Sequence, residues 1–179
     1  RYGLCLGLSV ADNTVLASLD QFSAGPFVDD GKIEKASREY IEKIRTKTPS
    51  HKTLVRSLSG GNQQKVVVAK WLATNADIII LDEPTRGIDI GAKYEIYLIM
   101  NRLVKEGKSI IMISSEMPEL IGMSDRIIVM HQGSVSGELT KEEVSQERIE
   151  LGGSSGIARH VAAVAVEHIK IDEVHKGQA

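Results

Sequence analysis

Ile78-Ile79-Ile80-Leu81-Asp82-Glu83-Pro84-Thr85 is an apolar, β-branched run that stops abruptly on two carboxylates. With Ala76 and Asp77 in front of it, the run 76–81 predicts a short strand buried on both faces of a parallel sheet. Such strands read as continuous rather than alternating hydrophobicity. Downstream, the periodicity predicts a helix over 92–106, a strand over 109–113, a short helix over 117–122 and a strand over 126–130. Strands alternating with helices imply an α/β fold, a parallel sheet joined by right-handed crossovers. Gln132-Gly133-Ser134 predicts a hairpin turn that returns through Val135 to Leu139, before a glutamate-rich helix over 141–150.

Upstream of the run, apolar residues recur at helical spacing over 13–21 and again over 33–46, the latter through Ile33, Ala36, Tyr40, Ile41 and Ile44. Gly25-Pro26 marks the turn between these helices, and Thr48-Pro49-Ser50 ends the second pattern. Leu54 to Leu58 then leads into Ser59-Gly60-Gly61, a turn that opens a helix over 62–73. At the other end, Gly152-Gly153-Ser154-Ser155-Gly156 has linker composition. Beyond it, Ile157, Val161, Val164, His168 and Ile171 fit a helix, while 164–171 fits a strand as well, and the tail stays unassigned.

The 179 residues are 42% hydrophobic and 26% charged, the balance of a soluble globular domain. A net charge of −2 and an aromatic content of 4% argue against a nucleic-acid partner. The single Cys5 cannot bridge internally, which fits a reducing compartment. No segment approaches the roughly 20 apolar residues of a membrane span, so the cytoplasm is the expected location. His160, His168 and His175 are spaced too loosely for a local zinc site. Trp71 is expected to be a packing residue, and Cys5 a small buried or loop residue.

Two stretches carry chemistry. In Leu58-Ser59-Gly60-Gly61-Asn62-Gln63-Gln64-Lys65, two glycines after a serine let the backbone approach an anion at a helix N-terminus, where the hydroxyl adds a donor. The same residues also suit an ordinary capped helix start. In the second stretch, Asp82 at the carboxyl edge of a parallel sheet can hold magnesium, and Glu83 can orient or deprotonate water. A plain solvated loop is the alternative. Arg86-Gly87-Ile88-Asp89 follows as a loop able to present Asp89 across an interface.

Taken together, LSGGNQQK, IIILDEPT and RGID resemble the signature motif, Walker B motif and D-loop of the ATP-binding-cassette ATPases. The NQQK ending and the TRGIDIGAK continuation resemble the second cassette of the tandem ATPase subunits of bacterial monosaccharide importers of the ribose, galactose and xylose type. The resemblance runs from about residue 1 to 150. It implies a partial P-loop NTPase fold, with residues 1–57 as a helical subdomain, 58–150 as the signature-to-C-terminal part of the ATPase core, and 151–179 as linker and unassigned tail. It implies ATP and Mg2+ as cofactors. Asp82 becomes the metal residue, Glu83 the base, and Leu58, Ser59, Gly60, Gly61, Asn62, Gln63 and Asp89 become nucleotide-site residues. The implied partners are a second cassette, membrane permease subunits and, indirectly, a sugar-binding protein, at the inner face of the cell membrane.

Two departures stand out. The Walker A loop, G-x-x-x-x-G-K-[ST], has no match, and Gly107-Lys108-Ser109 lies between a helix and a strand, the reverse of the order a P-loop needs. The chain therefore resembles the latter part of a cassette. Ser115 stands where the family usually has a catalytic switch histidine, and a serine supplies no imidazole contact. These departures imply that the chain alone is inactive, and they keep open a non-catalytic docking or regulatory cassette. A soluble ATPase of the DNA-repair or translation type shares the motifs, but the NQQK and TRGID wording and the charge weigh against it. A homodimer is a further expectation, since an incomplete sheet exposes apolar surface.

Overall fold

The computed structural model describes residues 3–152 and 160–164. These fall into two compact units, residues up to 76 with 87–93, and residues 77–86 with those from 94 on.

The first unit opens on α1 (Val10–Val15), which Ser9 starts with a reciprocal capping box. The Asp12 N–H donates to the Ser9 hydroxyl and the Ser9 N–H to the Asp12 carboxylate. The helix expected over 13–21 is thus displaced and shorter, and a 3-10 turn at Leu19–Phe22 follows it. Two residues each of β1 (Ser23–Ala24) and β2 (Phe27–Val28) then pair across the Gly25-Pro26 turn. Asp29 caps α2 (Asp30–Lys43) through the Lys32 N–H. α3 spans Gly60–Leu72, so both glycines lie in its first turn rather than ahead of it. Val10, Val55 and Val66 form a buried cluster joined by Leu4, Ile41 and Leu58.

Lys65, 1% exposed, is explained within this unit. α2 is capped by Ile44 and followed by Arg45, which takes φ of 53°, the left-handed conformation usual just past a helix terminus. The Lys65 ammonium donates to the Arg45 carbonyl at 2.8 Å, satisfying an acceptor that the helix end leaves over.

In the second unit, β3 (Ile78–Asp82) lies parallel to β4 (Ser109–Ser114), with Ile78 beside Ser109 and Asp82 beside Ile113. α4 (Ile90–Lys105), whose first turn belongs to the first unit, connects them and buries Ile96, Met100 and Leu103 at helical spacing. It ends at Gly107, φ 86°, where the Gly107 and Lys108 N–H groups donate to the Val104 and Leu103 carbonyls. Gly107-Lys108-Ser109 is therefore a helix terminus. Next come α5 (Met117–Met123) and β5 (Arg126–His131). Gln132 and Gly133, both at positive φ, form the expected two-residue hairpin turn to β6 (Ser134–Thr140). The last helix, α6, spans Gln146–Gly152, later than the expected 141–150.

The sheet order is β3-β4-β7-β5-β6, where β7 is His160–Val164 from the unassigned tail. The rest of that tail lies outside the described residues, as does the linker from Gly153 on. β3 departs from the expectation of burial on both faces: Ile79 and Leu81 are buried, while Ile78 and Ile80 are 62% and 63% exposed. An apolar run reports hydrophobicity on both faces, whereas burial needs a covering layer on each, and among the described residues one face of β3 lacks it. Trp71 is likewise 48% exposed rather than packed. The Lys70 ammonium stands 4.9 Å from its ring centroid.

Candidate functional site

In the first unit, Ser59 precedes α3 with extended backbone, and its hydroxyl makes no capping bond. It accepts instead from the Asn62 side-chain amide at 2.9 Å, while the Asn62 carbonyl oxygen accepts from the Lys47 N–H at 2.8 Å. The Gln63 amide donates to the Val55 and Leu58 carbonyls at 3.2 and 3.1 Å. Asn62 and Gln63 thus brace the loop that presents Ser59, and the Leu58 side chain packs on the valine cluster. Ser59 remains exposed at the helix end where backbone N–H groups gather partial positive charge. A Cβ on Gly61 would stand 2.6 Å from the Ala92 Cβ, so close approach of α4 requires glycine there. Asp89 is exposed and caps α4, its Oδ1 accepting from the Ala92 N–H at 2.9 Å.

In the second unit, β3 delivers Asp82 to its carboxyl end, exposed. Glu83 follows at φ 47°, a left-handed conformation that costs a non-glycine residue of order 1 kcal/mol. Two bonds hold it there. The Glu83 N–H donates to the Ile113 carbonyl at 2.8 Å, and the Ser115 N–H donates to the Glu83 Oε1 at 3.0 Å. The structure therefore brings Glu83 and Ser115 together, with the backbone of Ser115, not its hydroxyl, making the contact.

Beneath them lies a cluster that the sequence reading missed. Glu119 on α5 is 4% exposed, and its carboxylate accepts from the Thr85 hydroxyl at 2.9 Å and from the Ser114 hydroxyl. The Ser114 hydroxyl in turn accepts from the Glu116 N–H at 3.1 Å. Thr85 belongs to the loop after Glu83 and Ser114 to the end of β4, so one buried carboxylate ties both segments that frame Glu83. Burial, then the Glu119 charge, pushes the nearby Tyr97 phenol well above its usual range. The available signal was a lone acid inside an otherwise apolar turn, Met117-Pro118-Glu119-Leu120.

An exposed carboxylate beside a backbone-held glutamate, at the carboxyl edge of parallel strands, suits an oxygen-ligated divalent cation bound with a phosphate ester. Among the described residues no group of three His, Cys, Asp or Glu could hold a metal by itself.

The ABC transporter family profile matches residues 4–86. A galactose/methyl galactoside import ATP-binding protein of Clostridium tetani is 57% identical over 143 residues, 79% of this chain and 28% of that protein. Residues 4–86 thus carry an ABC transporter domain. A ribose import ATP-binding protein of Rubrobacter xylanophilus is 51% identical over 82% of this chain and 30% of its own length. A xylose import ATP-binding protein of Thermoanaerobacter pseudethanolicus is 49% identical over 83% and 30% respectively. The chain thus spans under a third of the length of these curated relatives. Among solved structures, a dimeric ATP-binding cassette in a post-hydrolysis state bound to ADP and Pi matches with a TM-score of 0.66 at 24% identity. That match covers 79% of this chain and 60% of the other. This likeness establishes the fold as part of an ABC ATPase cassette. Among the described residues no helix is long and apolar enough to cross a membrane.

Proposed function

We propose that the chain is part of an ATP-binding subunit that energises monosaccharide import, contributing residues to ATP sites between two cassettes. The observation that carries this is the pairing of exposed Asp82 with a Glu83 held in place by the Ser115 N–H, in a chain about half identical to sugar import ATP-binding proteins. In this reading Asp82 takes part in holding Mg2+, which neutralises phosphate charge when bound. Glu83 orients the attacking water. Ser59 and the first turn of α3, which starts at Gly60 and Gly61, stabilise the γ-phosphate in the site of the partner cassette, and Asp89 lies toward that interface. Because Walker A is absent, this chain alone does not hydrolyse ATP. Its partners are a second cassette and permease subunits at the inner membrane face, and through them a sugar-binding protein.

One observation favours a second reading, a docking or regulatory cassette without turnover. The residue contacting Glu83 is Ser115, whose side chain carries no imidazole. Adding the chain to a cassette that carries Walker A, and following phosphate release, separates the two. The proposal expects stimulation that Ser59→Arg abolishes. Unchanged turnover with and without the chain would support docking.

A further inference from the structure

Glu83 sits at φ 47°, a conformation that persists in a non-glycine residue only where the surroundings over-determine it. The Ile113 carbonyl and the Ser115 N–H, both at the end of β4, hold its N–H and its Oε1. On its other side the Arg86 N–H donates to the Glu83 carbonyl at 3.2 Å, closing a turn through buried Pro84 and Thr85. Both supports are tied to one side chain. In the turn, the Thr85 hydroxyl donates to the Glu119 Oε1 at 2.9 Å. At the strand end, the Ser114 hydroxyl donates to the Glu119 Oε2 and accepts from the Glu116 N–H at 3.1 Å. Ser114 is thereby fixed on two sides, and with it the 114–116 bend that aims the Ser115 N–H at Glu83.

We infer that Glu119 is a positioning residue for Glu83: its two carboxylate oxygens clamp the turn that follows Glu83 to the bend whose N–H holds the Glu83 side chain. Stability alone does not call for such a group. Thr85, Ser114 and Glu119 are 1%, 1% and 4% exposed. Apolar groups of the same shape fill a buried site with little or no loss, whereas a buried carboxylate carries a desolvation cost. What apolar groups lack is direction. Hydrogen bonds to the two oxygens of one planar group set the distance and angle between turn and bend, and a hydrogen bond weakens steeply once misaligned. Without the clamp, the Ser115 N–H and the Glu83 Oε1, which stand 3.0 Å apart, drift, and the Glu83 carboxylate samples several directions. The inference rests on the reading of Glu83 as the residue that orients water, but the clamp belongs to the folded chain and is read without nucleotide.

The test follows the Ser115 amide proton in nuclear magnetic resonance spectra of the full chain at neutral pH. A carboxylate acceptor deshields that proton, and Glu83→Ala removes the acceptor, so the shift change that Glu83→Ala causes measures the contact. In the Glu119→Ala background the same change should fall about twofold or more. Glu119→Gln, which keeps one acceptor oxygen, should restore part of it. Chemical shifts report folded molecules, so a residue that contributed only stability would leave the change intact. An equal change with and without Glu119 would overturn the inference. If Glu119→Ala does not fold, Ser114→Ala and Thr85→Val, which each cut one tether, decide by the same criterion. The cassette-mixing experiment above bears on the nucleotide reading alone: its failure leaves the amide result standing, and failure here leaves Ser59-dependent stimulation untouched.

Discussion

Replacing Gly61 by alanine puts a methyl group 2.6 Å from the Ala92 Cβ, where carbon atoms in contact normally stand about 3.5–4.0 Å apart. Neither methyl has a rotamer through which to escape, so the first turn of α3 or of α4 must shift by about 1 Å. Overpacking of this kind costs about 1–3 kcal/mol. Alanine regains about 1 kcal/mol over glycine in a helix, so the single substitution is expected to destabilise by only about 0–2 kcal/mol. The clash itself emerges from a cycle with Ala92→Gly, which removes the opposing methyl at a helix cost of about 1 kcal/mol. The double variant should be more stable than the sum of the two single effects by about 1–3 kcal/mol. Urea unfolding followed through Trp71, the sole tryptophan and itself on α3, reads this unit directly. Additivity within about 0.5 kcal/mol would refute the close approach of the two helix ends.

The buried Glu119 cluster yields two further expectations. Glu119→Ala leaves the Thr85 and Ser114 hydroxyls, each 1% exposed, without this acceptor. It should destabilise the sheet unit by about 2–4 kcal/mol, with Glu119→Gln milder because the amide keeps one acceptor. Equal amide exchange of β4 in wild type and Glu119→Ala would refute it. Tyr97, held protonated by burial and the facing Glu119 and Glu116 charges, gives stability that is intact below about pH 10, where the unfolded phenol titrates, and falls as pH rises toward the higher folded value. Tyr97→Phe should therefore show a flatter stability profile above about pH 10, and parallel profiles would contradict the role assigned to its burial.

The α/β alternation, the hairpin at Gln132-Gly133 and the place of Asp82 at the carboxyl end of a strand were legible because each rests on local pattern: periodicity, turn chemistry, or a polar residue closing an apolar run. Helix starts were read less well. Ser9 and Asp29 cap α1 and α2 several residues before the apolar periodicity becomes visible, since capping depends on hydrogen bonds rather than hydrophobicity. Gly61 is inside α3 for the opposite reason, a packing demand that overrides glycine's poor propensity.

By itself the sequence determined the fold class and the chemistry at stake, because hydrophobic spacing and the Ser-Gly-Gly and Asp-Glu stretches are properties of neighbouring residues. Tertiary structure alone decided that Glu83 is held by the Ser115 N–H, that Glu119 joins Thr85 to Ser114, and that a tail segment fits between β4 and β5. Each of these joins residues far apart in the chain. Their contact depends on strand register and side-chain direction, which local pattern does not encode.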